Sequence, residues 1–164
     1  MNQHLLILVA VAVGLLVAAL AGLLGRRPSG YPYESYDSLL SAAERSFFGV
    51  LQQALEREFT PLAKVRLADI LRVQRGVSAQ HRFAAFNRVV SKHADFVICA
   101  SDTFRVIGVV ELDDKSHRGE ARQRRDQFLD AALAAAGIPV LHVIAQRSYS
   151  IQDIRSRLAS LLTR

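Results

Sequence analysis

The 164-residue chain has a single cysteine, Cys99, and that scarcity excludes a disulfide framework and any multi-cysteine zinc or iron–sulfur site. One thiol suits a chain working on the reducing side of a membrane. Charge is missing from one stretch altogether. The 21 basic and 15 acidic side chains all lie outside Leu5 to Leu24, a run of 20 residues in which only Gly14 and Gly22 are not Ala, Val, Ile or Leu. The other 144 residues are about 46% hydrophobic and 25% charged, the average for a soluble globular domain. Disorder and a multi-span transporter are thereby excluded. What is left is one domain, long enough to bury about two-thirds of its unfolded surface.

A helix of 20 residues is ~30 Å long, the thickness of a bilayer's hydrocarbon layer, so residues 5–24 are expected to form a transmembrane helix. Ala19-Leu20-Ala21 fits a signal-peptidase site, but no Lys or Arg precedes the run, and it is longer than a usual signal-peptide core. An uncleaved anchor is the expected form. Arg26 and Arg27 follow directly, which by the positive-inside bias places a single-pass protein in the inner (cytoplasmic) membrane with its C-terminal domain in the cytoplasm. Residues 25–37, with Pro28, Gly30, Pro32 and three tyrosines, read as a linker. Residues 38–164 are then the working domain.

In that domain, apolar positions recur at three and four from Leu39 to Leu55, which predicts a helix from about Ser38 to Phe59, ended by Pro61. Val65 and Leu67 alternate with Lys64 and Arg66 as a short strand, and a short helix is expected at His81 to Val90. Residues 95–99 and 104–112 are β-rich runs joined by Ser101, Asp102 and Thr103, a hairpin. A helix over Gly119 to Ala136 stops at Gly137. Residues 138–144 form a buried strand parallel to a hairpin strand, and Ser150 caps a last helix to Leu162. The fold class is α/β with a mixed central sheet flanked by helices, in the order α-β-β-β-α-β-α.

Chemistry concentrates at Glu111-Leu112-Asp113-Asp114-Lys115-Ser116-His117. Residues two apart on a strand share a side, so Glu111 and Asp113 place two carboxylates together, and Asp95 opens the neighbouring strand. Such oxygen clusters suit Mg²⁺ or Mn²⁺, although acidic residues also simply mark strand ends. Ser41-x-x-Glu44 is a capping box, so Glu44 has a local role beside its candidate catalytic one. His142, in an apolar strand, reads as a partnered core residue rather than a ligand.

The order of elements, with Asp at the start of one hairpin strand and Glu-x-Asp at the end of the next, resembles the restriction-endonuclease-like superfamily of metal-dependent nucleases. More closely, Leu40 to Leu158 resembles the bacterial domain-of-unknown-function family 2726. The likeness is carried by Ser41-Ala42-Ala43-Glu44-Arg45, Val65-Arg66-Leu67-Ala68-Asp69, Lys92-His93-Ala94-Asp95-Phe96, residues 111–117, Arg125-Asp126 and Ala136-Gly137-Ile138-Pro139-Val140. The superfamily's usual Lys two residues after the Glu is here Asp113. Glu111, Asp113 and His117 instead match the spacing of the very-short-patch-repair endonuclease branch.

The resemblance implies a metal, Mg²⁺ or Mn²⁺, held by Asp95, Glu111 and Asp113, with His117 as acid or base and Glu44 reaching in from the first helix. Catalytic candidates are therefore Glu44, Asp95, Glu111, Asp113 and His117. Lys92, His93, Lys115, Arg122 and Arg125 are candidates for contacting nucleic acid, with Arg122 also placed to pair with Asp126. The net charge of +6, or +4 without Arg26 and Arg27, is compatible with a polyanionic partner. Two functions remain open: a membrane-anchored Mg²⁺-dependent phosphodiesterase acting on DNA or RNA, and a non-catalytic module of the same fold that binds nucleic acid or protein.

Overall fold

The computed structural model describes residues 3–24, 30–113 and 120–162, without the side chains of residues 5, 21, 23, 24 and 120–126. The chain divides into two compact units, Met1–Asp37 and Ser38–Arg164. The first contains α1 (Gln3–Leu24), whose described large apolar side chains are exposed, Leu8 at 66% and Leu15 at 68%. Among the described residues no helix is long and apolar enough to cross a membrane, which overturns the transmembrane assignment of residues 5–24. The single-pass topology rested on that span, and Arg26 and Arg27 lie outside the described residues. Tyr31 and Tyr33 stack on one another with ring centroids 6.1 Å apart.

The second unit begins with α2 (Ala42–Ala54). Its start is fixed by the capping box: the Ser41 hydroxyl accepts from the Glu44 N–H, and the Glu44 carboxylate accepts from the Ser41 N–H at 2.8 Å. The helix ends earlier than its apolar spacing predicts, because Leu55 turns extended and β1 (Phe59–Arg66) begins before Pro61. Proline is tolerated in β1 because this is the edge strand of the sheet. The short α3 (Leu67–Ile70), which no periodicity announces, and α4 (Ala79–Val89), capped by Ser78, lead into the hairpin.

The hairpin is β2 (His93–Ala100) and β3 (Val106–Asp113), paired antiparallel with an irregularity at Ile98/Cys99. The expected crossover follows: α5 (Glu120–Ala135), Gly137 at φ 72°, and β4 (Val140–Ile144) parallel to β3. Positive φ is the conformation that stops a helix most easily at glycine. Finally α6 (Ile151–Leu162) begins after Ser150, whose hydroxyl accepts from the Asp153 N–H. The four-stranded mixed sheet has the order β1-β2-β3-β4.

Alternation along the strands gives the sheet two apolar faces. On one, Phe96, Ile98, Val110 and Val143 pack under Phe47 and Leu51 of α2 and Ile154, Leu158 and Leu161 of α6. On the other, Val97, Cys99 and Val109 lie under Leu67, Val89, Leu129 and Leu133. Full burial of each large side chain contributes roughly 1.5–3 kcal/mol. Cys99 is free and buried, and that burial pushes its thiol pKa up, so it is built as core rather than as a nucleophile.

Candidate active site across the sheet

The polar residues of interest form a row across the strands. Glu111 of β3 is the register partner of His142 of β4. Asp95 precedes the β2–β3 pair Phe96↔Val110, which sets it beside Glu111, and Lys64 of β1 sits between the pairs Ala63↔Phe96 and Val65↔Ala94. From edge to edge the row reads Lys64, Asp95, Glu111, His142. Each strand contributes one charge-bearing group.

Lys64 has φ 56°, a left-handed conformation that is uncommon for a residue with a side chain. Its ammonium bonds Glu44 Oε1 and lies 3.4 Å from Asp95 Oδ1. Glu44 therefore uses one oxygen on Lys64 and the other on the Ser41 N–H, so its capping and site roles coincide. Burial opposes ionisation of Glu44, yet the Lys64 hydrogen bond and the Ser41 N–H outweigh it and hold its pKa below the ordinary 4.5. Lys64 is likewise penalised by burial but raised above its ordinary 10.5 by Glu44 and Asp95. The second Asp95 oxygen accepts from the Leu112 N–H at 3.0 Å, which ties β2 to β3 and fixes the carboxylate.

Glu111 is different. Its Oε1 is buried without a hydrogen-bond partner, and its pKa is pushed up to about 8, first by desolvation and then by the neighbouring Asp95 charge. A buried carboxylate beside a second one is costly to ionise unless a cation joins them. The donor chemistry of Asp95 and Glu111 thus fits a divalent metal of the Mg²⁺ class.

Asp113 faces another partner. His142 lies between two carboxylates, with Nδ1 3.2 Å from Asp113 Oδ2 and Nε2 3.1 Å from Asp130 Oδ1 of α5. Burial lowers its basicity, but the hydrogen bonds to Asp113 and Asp130 prevail and raise its pKa above 6.5. Arg157 of α6 donates to the His142 carbonyl at 2.6 Å. His142 is partnered as expected, by two acids, but with its side chain 37% exposed it is not a core residue.

The structure thus joins Glu44 and Asp95 through Lys64, sets Glu111 beside Asp95, and directs Asp113 to His142. Among the described residues no three His, Cys, Asp or Glu groups are arranged to hold one metal ion. His117 and Lys115 lie outside the described residues, as do the side chains of Arg122 and Arg125 on α5. Lys92 and His93 stand where β2 begins; the Lys92 ammonium is 5.9 Å from the Phe128 ring centroid, and His93 is exposed opposite Arg66. Lys64 and Asp130 escape sequence reasoning. Lys64 is visible there only as a polar residue alternating in a short strand, and Asp130 as a lone acid in the apolar second half of α5.

Among known protein families, the one described as "Protein of unknown function (DUF2726)" matches residues 36–161. No curated protein and no solved structure matches the chain significantly.

Proposed function

This chain belongs to the DUF2726 family, and we propose that its α/β domain is a metal-dependent phosphodiesterase acting on DNA or RNA. The observation that carries this reading is the Asp95–Glu111 pair, in which a buried carboxylate oxygen has no partner and a second carboxylate stands beside it. Asp95 and Glu111 would hold Mg²⁺ or Mn²⁺. When bound, such an ion activates water and neutralises phosphate charge. Lys64, held by Glu44, supplies a fixed ammonium at the same row, the kind of charge that stabilises a phosphoryl oxygen as negative charge builds on it. His142, held between Asp113 and Asp130, is a proton carrier that titrates above its ordinary 6.5. Glu44 positions and does not react, because both its oxygens are engaged.

A second reading, a non-catalytic binding module, is favoured by Lys64 itself, whose ammonium already compensates part of the Asp95 charge. Manganese titration of the full chain by calorimetry, joined to cleavage assays on single- and double-stranded DNA and RNA, separates the two. The enzyme reading expects Mn²⁺ binding that weakens roughly 10-fold or more in Glu111→Gln, as for loss of a direct ligand, and cleavage abolished by that change and by chelator. Metal binding unchanged in Glu111→Gln overturns the assignment, and binding of nucleic acid without cleavage establishes the module. Cleavage that survives both Glu111→Gln and Asp95→Asn belongs to a contaminant.

A further inference from the structure

The helices over the sheet face that carries Val97 and Val109 bury both valines fully but leave an opening at their outer surface. Between α4 and α5 lies a groove of about 1360 Å³, floored by Val89, Ala132 and Ile138 and bordered by Arg72, Arg75, Arg82 and Arg88. Among the described residues, no acidic side chain lines it. Two aromatic rings on α4 open into it and stay in water: Phe83 is 69% exposed and Phe86 43%. They are three residues apart, so both rings lie on one side of the helix. At the α5 wall, the Arg88 guanidinium sits 4.0 Å from the centroid of Phe128, which spreads positive charge over a flat apolar surface. The groove exceeds the ~300–1,000 Å³ typical of a small-ligand pocket, which suits a segment of polymer.

We propose that this groove binds single-stranded nucleic acid, with Arg72, Arg75 and Arg82 meeting phosphates and Phe83 and Phe86 stacking on bases. Exposed aromatic faces interleaved with arginines are what a single strand needs, because its unpaired bases present π-surfaces while its backbone is a polyanion. A duplex satisfies only the charges, since its bases are already stacked. A second copy of the chain would set four arginines against four, which is repulsive across an interface. The helices that line the groove lie on the side of the sheet to which Glu111 belongs, because Glu111 is two residues beyond Val109 on β3. The inference extends the nucleic-acid reading above without depending on metal or cleavage.

The test is fluorescence anisotropy of the full chain in chelator, with a labelled 12-nucleotide DNA or RNA single strand, the matching duplex, and a polyglutamate peptide of equal charge. Expected is preference for the single strand over both rivals. Phe83→Ala and Phe86→Ala should each weaken it about 10-fold, leaving the salt slope unchanged. Arg72→Gln and Arg75→Gln should instead lower the slope of log Kd against log salt by about 0.7 for each phosphate that is no longer neutralised. Phe83→Leu, which keeps an apolar side chain but no flat ring, should match the alanine variant.

Equal affinity for the duplex, equal affinity for polyglutamate, absence of binding at 50 mM salt, or indifference to both phenylalanine changes overturns the proposal. Cleavage failing while this binding persists removes the phosphodiesterase reading alone.

Discussion

The two faces of the sheet are built from similar residues and end up with different jobs. Under α2 and α6, Phe47 packs on Phe96 at 5.5 Å and on Tyr149 at 4.9 Å between ring centroids, and Phe47, Leu51, Ile154 and Leu158 are at most 1% exposed. Arg155 of α6 also donates to the carbonyls of Gln53 and Ala54 at the end of α2, fastening the two helices together. Under α3, α4 and α5 the innermost side chains are as well buried, with Leu67 and Leu133 at 0%, but Phe83 and Phe86 never reach the core. The closed face stores stability. The open face gives up apolar burial and keeps a basic groove. The charged row crosses the sheet near the end of β3, and Glu111 there is the group whose own burial is least compensated.

The two faces should differ most at two phenylalanines. Phe47→Ala, measured by chemical denaturation, is expected to cost about 3–5 kcal/mol, and Phe83→Ala less than about 0.5 kcal/mol. Equal costs would mean that the two faces are packed alike. Next in size is Gly108→Ala on β3, where an added Cβ would stand 2.7 Å from Leu161 Cγ. That should cost roughly 1–3 kcal/mol, and Leu161→Ala should be less harmful in the Gly108→Ala background than alone.

The row itself can be sharpened by pH. Glu111 keeps its proton to about pH 8 in the folded chain, whereas unfolded it releases it near 4.5. Unfolding therefore releases a proton between those values, and stability falls as pH rises through that window. Glu111→Gln in chelator should accordingly stabilise the protein at pH 8 by on the order of 1–2 kcal/mol and change little at pH 4. A destabilised Glu111→Gln at pH 8 would show that the carboxylate is already compensated.

His142 titrates with the opposite sense. Its folded pKa is raised, so its contribution is complete below 6.5 and is lost as pH rises through the folded value. His142→Gln should lower the midpoint of thermal unfolding more at pH 5.5 than at pH 9. Because its side chain is 37% exposed, the difference should be small, about a few tenths of a kcal/mol after solvent screening. Equal effects at both pH values would detach His142 from Asp113 and Asp130.

Most of the domain's elements are legible in the sequence because their signals are local. The hairpin shows in its β-branched runs, the crossover in helical spacing stopped by Gly137, and α2 in the reciprocal Ser41–Glu44 cap. Glu111 stands out because an acid following a nearly continuous apolar strand is unusual at that depth. The start of β1 is hidden because Pro61 reads as a terminator unless the strand is known to lie at the edge. The transmembrane assignment comes from composition and length alone and is not met by the described helix.

The alternation of apolar and polar positions depends on residues two to four apart and is therefore written along the chain. Tertiary structure decided the partners. Lys64 reaches Glu44 across 20 residues and Asp95 across 31, and Asp113 takes His142 29 residues away rather than joining Glu111 in a metal cluster. No periodicity encodes such separations. They follow from the order of four strands and from the left-handed backbone at Lys64, which exist only once the sheet has closed.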